Sequence, residues 1–303
     1  MLKLLFRSPL LEAALWSFCL GGVSAQAQNP PATQPSATAS APQAKPSAPT
    51  PATNPATKEN DELLAKAAKL YYSTARAGLE GFDCAVHPDW RALFAKANKN
   101  TVIAEDDPRI VLLKSVGITL HAHMKGGSTL EWIQAPSSDK PLDEDSTAML
   151  DSMHQATEQT LQGFLQFWTP FIDGSVVPAS SEGLRVETSS KGYTFHAEDG
   201  GTKLTEVFDN SLTLEEFDVA MGTTAIQFSP SYKTTDQGML VSSFAGHIHA
   251  PGATPGQAEE MHVQLEYQAV DGFPVPARIN MEVVGTGIFN FEFDGCKANR
   301  TSK

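Results

Sequence analysis

The sequence predicts an α+β fold, a curved antiparallel sheet (a half-barrel meander) with helices packed on one face. Three observations carry this expectation. Helical periodicity is confined to the first half of the folding region, nine strand-like segments then follow without a helix between them, and Gly, Asp, Asn and Pro punctuate those segments. Strands that succeed one another through short turns pair antiparallel, because a parallel pair needs a crossover of about a dozen residues or more.

The elements follow in order. Residues 60–78 carry Asn60 as a candidate N-cap, then Leu63, Ala67, Leu70 and Tyr71 on one face and Gly78 at the stop, the pattern of an amphipathic helix. A short strand from Phe82 to Val86 contains Cys84. Pro88 opens a second helix through Ala97 with Trp90, Leu93 and Phe94, and Asp106 with Pro108 opens a shorter third. Residues 116–124 and 129–134 flank Lys125-Gly126-Gly127-Ser128 as a hairpin. Residues 146–168 set Met149, Leu150, Met153, Leu161, Phe164, Leu165 and Trp168 at helical spacing, a core-facing stripe that Pro170 is expected to end. The nine strand segments are 184–188, 192–197, 203–209, 212–219, 223–229, 239–249, 260–269, 276–284 and 287–293.

The chain divides into a signal peptide (1–27), a linker (28–58) and one folded α+β domain (59–303). Lys3 and Arg7 precede a short apolar stretch from Ala13 to Val23, and the small-residue patterns Val23-Ser24-Ala25 and Ala25-Gln26-Ala27 follow, as in a secretory signal. The next segment is almost wholly Pro, Ala, Ser, Thr, Gln and Asn, a composition that cannot bury enough surface to offset its ordering entropy. The expected location is therefore outside the cytoplasm, periplasmic or extracellular. Removal of the signal takes Cys19 away and leaves Cys84 and Cys296, a candidate disulfide across the whole folded region. Closing so long a loop contributes on the order of 4 to 5 kcal/mol in the chain-entropy account.

Composition excludes some partners. The 35 acidic residues against 22 basic ones, a formal charge of −13, disfavour a nucleic-acid or anionic-membrane partner. The apolar residues are too scattered for a stable membrane span in the mature chain. No nucleophile elbow, phosphate-binding glycine loop, dinucleotide fingerprint, HExxH or CxxC pattern occurs, so no catalytic residue and no cofactor is expected. The acidic runs Glu105-Asp106-Asp107, Asp143-Glu144-Asp145, Glu215-Glu216 and Glu259-Glu260 read as solvated faces and loops.

Two His-x-His pairs give the sharper signal. His121 and His123 share one strand face, as do His247 and His249. A register that sets Phe244 against Leu265 and Ile248 against Met261 would also set His247 against His262 and His249 against Glu260. His247, His249, His262 and Glu260 then form a candidate Zn or Cu ligand set. The spacing is not specific, and polar-face histidines on a wet strand are the preferred reading.

The order helix, strand, helices, hairpin, long helix and long meander resembles the LolA/LolB-like group of periplasmic lipoprotein carriers. The likeness is carried by Phe228-Ser-Pro-Ser-Tyr232, by Gly238 to Phe244, and by Tyr267-Gln-Ala-Val-Asp-Gly-Phe-Pro-Val-Pro276. The linker, the helical region over 90–170 and the cysteine pair lie outside it. The resemblance implies a half-barrel closed by helices and a non-enzymatic protein that carries or senses a lipid acyl chain or other apolar ligand, with no ligand-binding residue carried over. Two alternatives stand beside it, a His-rich metal-binding domain and a structural or partner-binding envelope protein with a filled core.

Overall fold

The computed structural model describes residues 55–97, 102–125, 127–134, 142–222, 224–249, 259–284 and 287–301. The signal reading at 1–27 and the linker reading over 28–54 lie outside the described residues. Residues 55–58, expected in the linker, open the first helix instead.

That helix, α1 (Pro55–Leu70), turns Leu64 and Ala67 into the core and leaves Leu70 38% exposed. It does not run on to Gly78 as the periodicity suggests. The chain leaves it at Tyr71, which bridges to Met239, and Tyr72 N–H donates to the Met239 carbonyl at 2.9 Å. Tyr, Ser and Thr are indifferent helix formers, so tertiary hydrogen bonds win here over local propensity. Ser73 then caps a single turn, α2 (Thr74–Ala77), which Gly78 closes at φ +82°.

Two short helices follow, α3 (Trp90–Ala97) and α4 (Pro108–Lys114). The long α5 (Glu144–Asp173) starts at Asp143, whose carboxylate accepts from Ser146 N–H at 2.7 Å. Pro170 does not end it. The ring sits in the last turn, where the hydrogen bond lost is a single one, and Gly174 at φ +85° makes the stop.

Among the described residues, all strands form one antiparallel sheet. They are β1 (Leu79–Pro88), β2 (Val116–His123), β3 (Ser128–Gln134), β4 (Arg185–Thr188), β5 (Gly192–Asp199), β6 (Thr202–Asp209), β7 (Leu214–Met221), β8 (Thr224–Thr235), β9 (Gly238–His249), β10 (Glu259–Val270), β11 (Phe273–Val283) and β12 (Gly287–Arg300). The order β3-β2-β1-β12-β11-β10-β9-β8-β7-β6-β5-β4 is open, with β3 and β4 at its edges. The nine-strand meander of the sequence is β4–β12, and β1–β3 extend it along β12.

One face of this sheet is buried. Strand alternation puts Phe82 and Val86 of β1, Ile118 and Leu120 of β2, Phe228 of β8, Phe244 and Ile248 of β9, Val263 of β10, Ile279 and Met281 of β11, and Phe291 and Phe293 of β12 into one core. The helices cover this same face. Phe167 of α5 packs on Phe228 and Phe244 with ring centroids at 4.2 and 4.7 Å, Phe171 packs on Phe217 and Phe244, and Trp168 meets Phe82 edge-on. Trp90 of α3 meets Trp132 of β3. Each fully buried large apolar side chain contributes about 1.5–3 kcal/mol. Gly246 makes the close packing at the centre available, since a Cβ there would fall 2.2 Å from the Gln227 carbonyl and 2.4 Å from the Phe228 ring.

Cys84 of β1 and Cys296 of β12 are joined by a disulfide over a sequence separation of 212. The bond ties the first strand to the last. Reducing it, or replacing both residues by Ala, is expected to lower unfolding stability by about 5 kcal/mol through the longer unfolded loop. Urea titrations of the oxidised and reduced protein measure this, and equal midpoints would show that the bridge adds nothing.

Candidate functional site

The outer face carries the histidines. Strands β9 and β10 pair with Phe244 against Val263, Met261 against Gly246 and Glu260 against His247, two residues away from the expected register. His262 therefore faces Ala245, and the expected pairings of His247 with His262 and His249 with Glu260 are not made. Both registers keep the same side chains inward, because a slip of two preserves the faces. Across the other ladder of β9, the Phe228 ring of β8 packs against the bare Gly246. His262 Nε2 lies 2.9 Å from Glu260 Oε1, and His249 stands across from Ala225 on β8. Among the described residues, no group of three or more His, Cys, Asp or Glu side chains converges closely enough to hold a metal ion.

His121 of β2 lies opposite Asp83 of β1, its Nδ1 2.7 Å from Asp83 Oδ1 and its Nε2 3.7 Å from Glu131 Oε2. Burial draws the Asp83 carboxyl upward, but hydrogen bonds from His121 and Asn299 outweigh it and hold the group below the usual carboxylate range. The acidic runs have local structural roles. Asp107 receives the Arg109 side chain and backbone, which lower it to about 2, and Asp143 caps α5. Glu216 shares the outer face of β7 with Asp218, whose carboxyl is pushed up to about 6, first by burial and then by Glu216.

The unusual site is on the inner face, at Glu206 in β6. Its neighbours across the ladders are Phe195 of β5 and Phe217 of β7, and its strand-mates on that face are Leu204 and Phe208. Glu206 is 2% exposed, and its Oε2 has no hydrogen-bond partner. Burial drives its pKa well above the ordinary 4.5, so the carboxyl holds its proton at pH values where an exposed glutamate has lost it.

Two tyrosines accompany it. Tyr71, where α1 ends, donates its hydroxyl to the Leu212 carbonyl at 3.0 Å and accepts Leu214 N–H at 2.6 Å, bracketing the start of β7. Tyr232 of β8 meets the Tyr71 ring edge-on at 5.3 Å. Burial raises both phenols, and the nearby Glu206 raises them further. The Tyr232 hydroxyl is close enough to Tyr71 to affect its ionisation, yet it makes no hydrogen bond of ordinary geometry. A carboxyl and a phenol thus share the sheet's interior, each with unspent hydrogen-bonding capacity.

Sequence reading did not single out Glu206. The signal was present, because strict alternation in β6 assigns Leu204, Glu206 and Phe208 to one face, with an acid where an apolar residue is expected. A cleft of about 20 Å³ opens among Trp90, Leu93, Thr157, Phe289 and Phe291, room for a water and far below the roughly 300–1,000 Å³ of small-molecule sites. Compared with protein-family models, curated proteins and solved structures, the chain has no match. Among the described residues, no helix is long and apolar enough to cross a membrane.

Glu206 makes stability depend on pH with a definite sign. Below about pH 4.5 both folded and unfolded chains hold the proton; above it the unfolded chain releases it while the folded chain does not, so stability falls until the raised folded pKa is reached. Glu206→Leu is expected to stabilise the protein by about 1–3 kcal/mol near pH 7.5 by removing an unpaired buried polar group, with a smaller gain near pH 4. Urea unfolding of both proteins at the two pH values reads this. Tyr71→Phe acts oppositely, leaving buried Leu214 N–H without its acceptor, and is expected to cost about 1–3 kcal/mol.

Proposed function

We propose that this chain is an exported, non-enzymatic binding protein that shelters a lipid acyl chain or another apolar ligand between α5 and the inner face of a half-barrel sheet, in the manner of the LolA/LolB-like carriers it resembles. The observation that carries this reading is the contact between α5 and the sheet centre. It is made mainly by rings, Phe167 and Phe171 against Phe217, Phe228 and Phe244. Parting that contact would open a continuous apolar trough and break no strand ladder. Apolar troughs with few polar groups suit such ligands. The secretory pattern in residues 1–27 and the disulfide between Cys84 and Cys296 favour an oxidising compartment.

A second reading has its own support. The side-chain-filled interior suits a structural or partner-binding envelope protein that never admits a ligand. Native mass spectrometry of protein purified from its own host, together with titration of an uncharged long-chain fluorophore, separates the two. The carrier is expected to retain lipid-sized mass or to take up the fluorophore stoichiometrically. A bare mass with no uptake would favour the filled-core protein.

A further inference from the structure

Among the described residues, Glu206 is the one charged side chain of the buried set, and it has no counter-charge. The inner-face residues around Glu206 on its own and neighbouring strands are Phe195, Leu204, Phe208, Phe217 and Val219, with no Lys, Arg or His among them. Among the described residues, no ion pair or hydrogen bond reaches the Glu206 side chain. Tyr232 meets the ring of Tyr71, whose hydroxyl holds Leu214 N–H opposite Phe208, the next inward residue after Glu206 on β6, and the Tyr232 hydroxyl is also without a partner. Aromatic edges and faces surround the pair, Phe195 against Phe208 at 5.2 Å and Tyr71 against Tyr232 at 5.3 Å. A buried, unpaired acid is costly to keep, and an apolar residue would pack here without that cost.

We propose that Glu206 and Tyr232 form the head-group subsite of the interior ligand, and that the head group is a hydrogen-bond-donating cation, an amine carried on an apolar chain. The inference rests on the carrier reading. An ammonium supplies what the site lacks, a positive charge for the carboxylate and N–H donors for both oxygens. The flanking rings favour the same charge through their faces. An anionic head is disfavoured, since two carboxylates held together in an apolar interior cannot both ionise. A neutral alcohol could bond to either oxygen but gains no charge pairing. The formal charge of −13 on the whole chain also draws cations rather than anions towards it. Binding of an ammonium would ionise Glu206, the proton passing from the carboxyl to solvent.

The test compares dodecylamine, dodecanol and dodecanoate, each below its micellar concentration, by calorimetric titration at neutral pH on the full mature chain. The native protein is expected to bind the amine at least about tenfold more tightly than the alcohol, and the carboxylate most weakly. In Glu206→Gln, close in shape and unable to ionise, amine and alcohol are expected to converge within about twofold while the alcohol's affinity is unchanged. Tyr232→Phe, which removes only the hydroxyl, is expected to reduce the amine preference in part and serves if Glu206→Gln folds poorly. Proton release on amine binding, read from the buffer dependence of the heat, is expected in the native protein and absent in Glu206→Gln. Binding of all three ligands without an amine preference, or a preference that survives Glu206→Gln, overturns the head-group assignment and leaves the carrier standing. No binding of any of the three overturns the carrier reading itself, and the head-group subsite with it.

Discussion

Among the described residues, twelve antiparallel strands in one open sheet present a broad apolar face, and water has to be kept from it along its whole width. That requirement organises the other elements. At 30 residues, α5 is about 45 Å long and can lie across many strands at once, and its inward residues are aromatic where it meets the sheet centre. The shorter helices cover what it leaves, α3 towards β3 and β12 and α1 towards β9. The disulfide between β1 and β12 acts on the same face from another direction. It fastens the first strand to the last, so the face cannot lose continuity where the chain's two halves meet.

Glu206 departs furthest from that constraint, as an acid 2% exposed, which is why it invites a functional explanation. Several buried polar groups near it are satisfied. Tyr71 spends its hydroxyl on Leu212 and Leu214, and Trp168 donates to the Tyr267 hydroxyl at 3.0 Å while that hydroxyl donates to the Val241 carbonyl. The Glu206 carboxyl has no such outlet. Proteins keep costly polar groups where a function needs them, and the proposed head-group subsite gives Glu206 such a function.

Much of this architecture was legible in the sequence, for physical reasons that differ between elements. Alternation and turn residues located β4–β12, since a half-buried strand must write its two faces into its residues. The break of α1 at Tyr71 was not legible, because it depends on a hydrogen bond from Tyr72 to Met239, far away in the chain. Nor was the register of β9 on β10. Phe244 finds an apolar partner in either Val263 or Leu265, so the inward pattern is the same in both registers and alternation alone does not choose between them. Pro170 misled because a proline in a helix's last turn removes little. Glu206 was visible as a break in the alternation of β6, but its isolation from every cation was a property of the folded sheet alone.

The proposed carrier requires that α5 part from the sheet while the sheet stays folded. Native-state hydrogen exchange, followed residue by residue in low denaturant, tests it most directly. Amides around Phe167 and Phe171 are expected to exchange through an opening of lower free energy than those of β9–β12. A single shared opening energy for helix and sheet, equal to that of global unfolding, would contradict it.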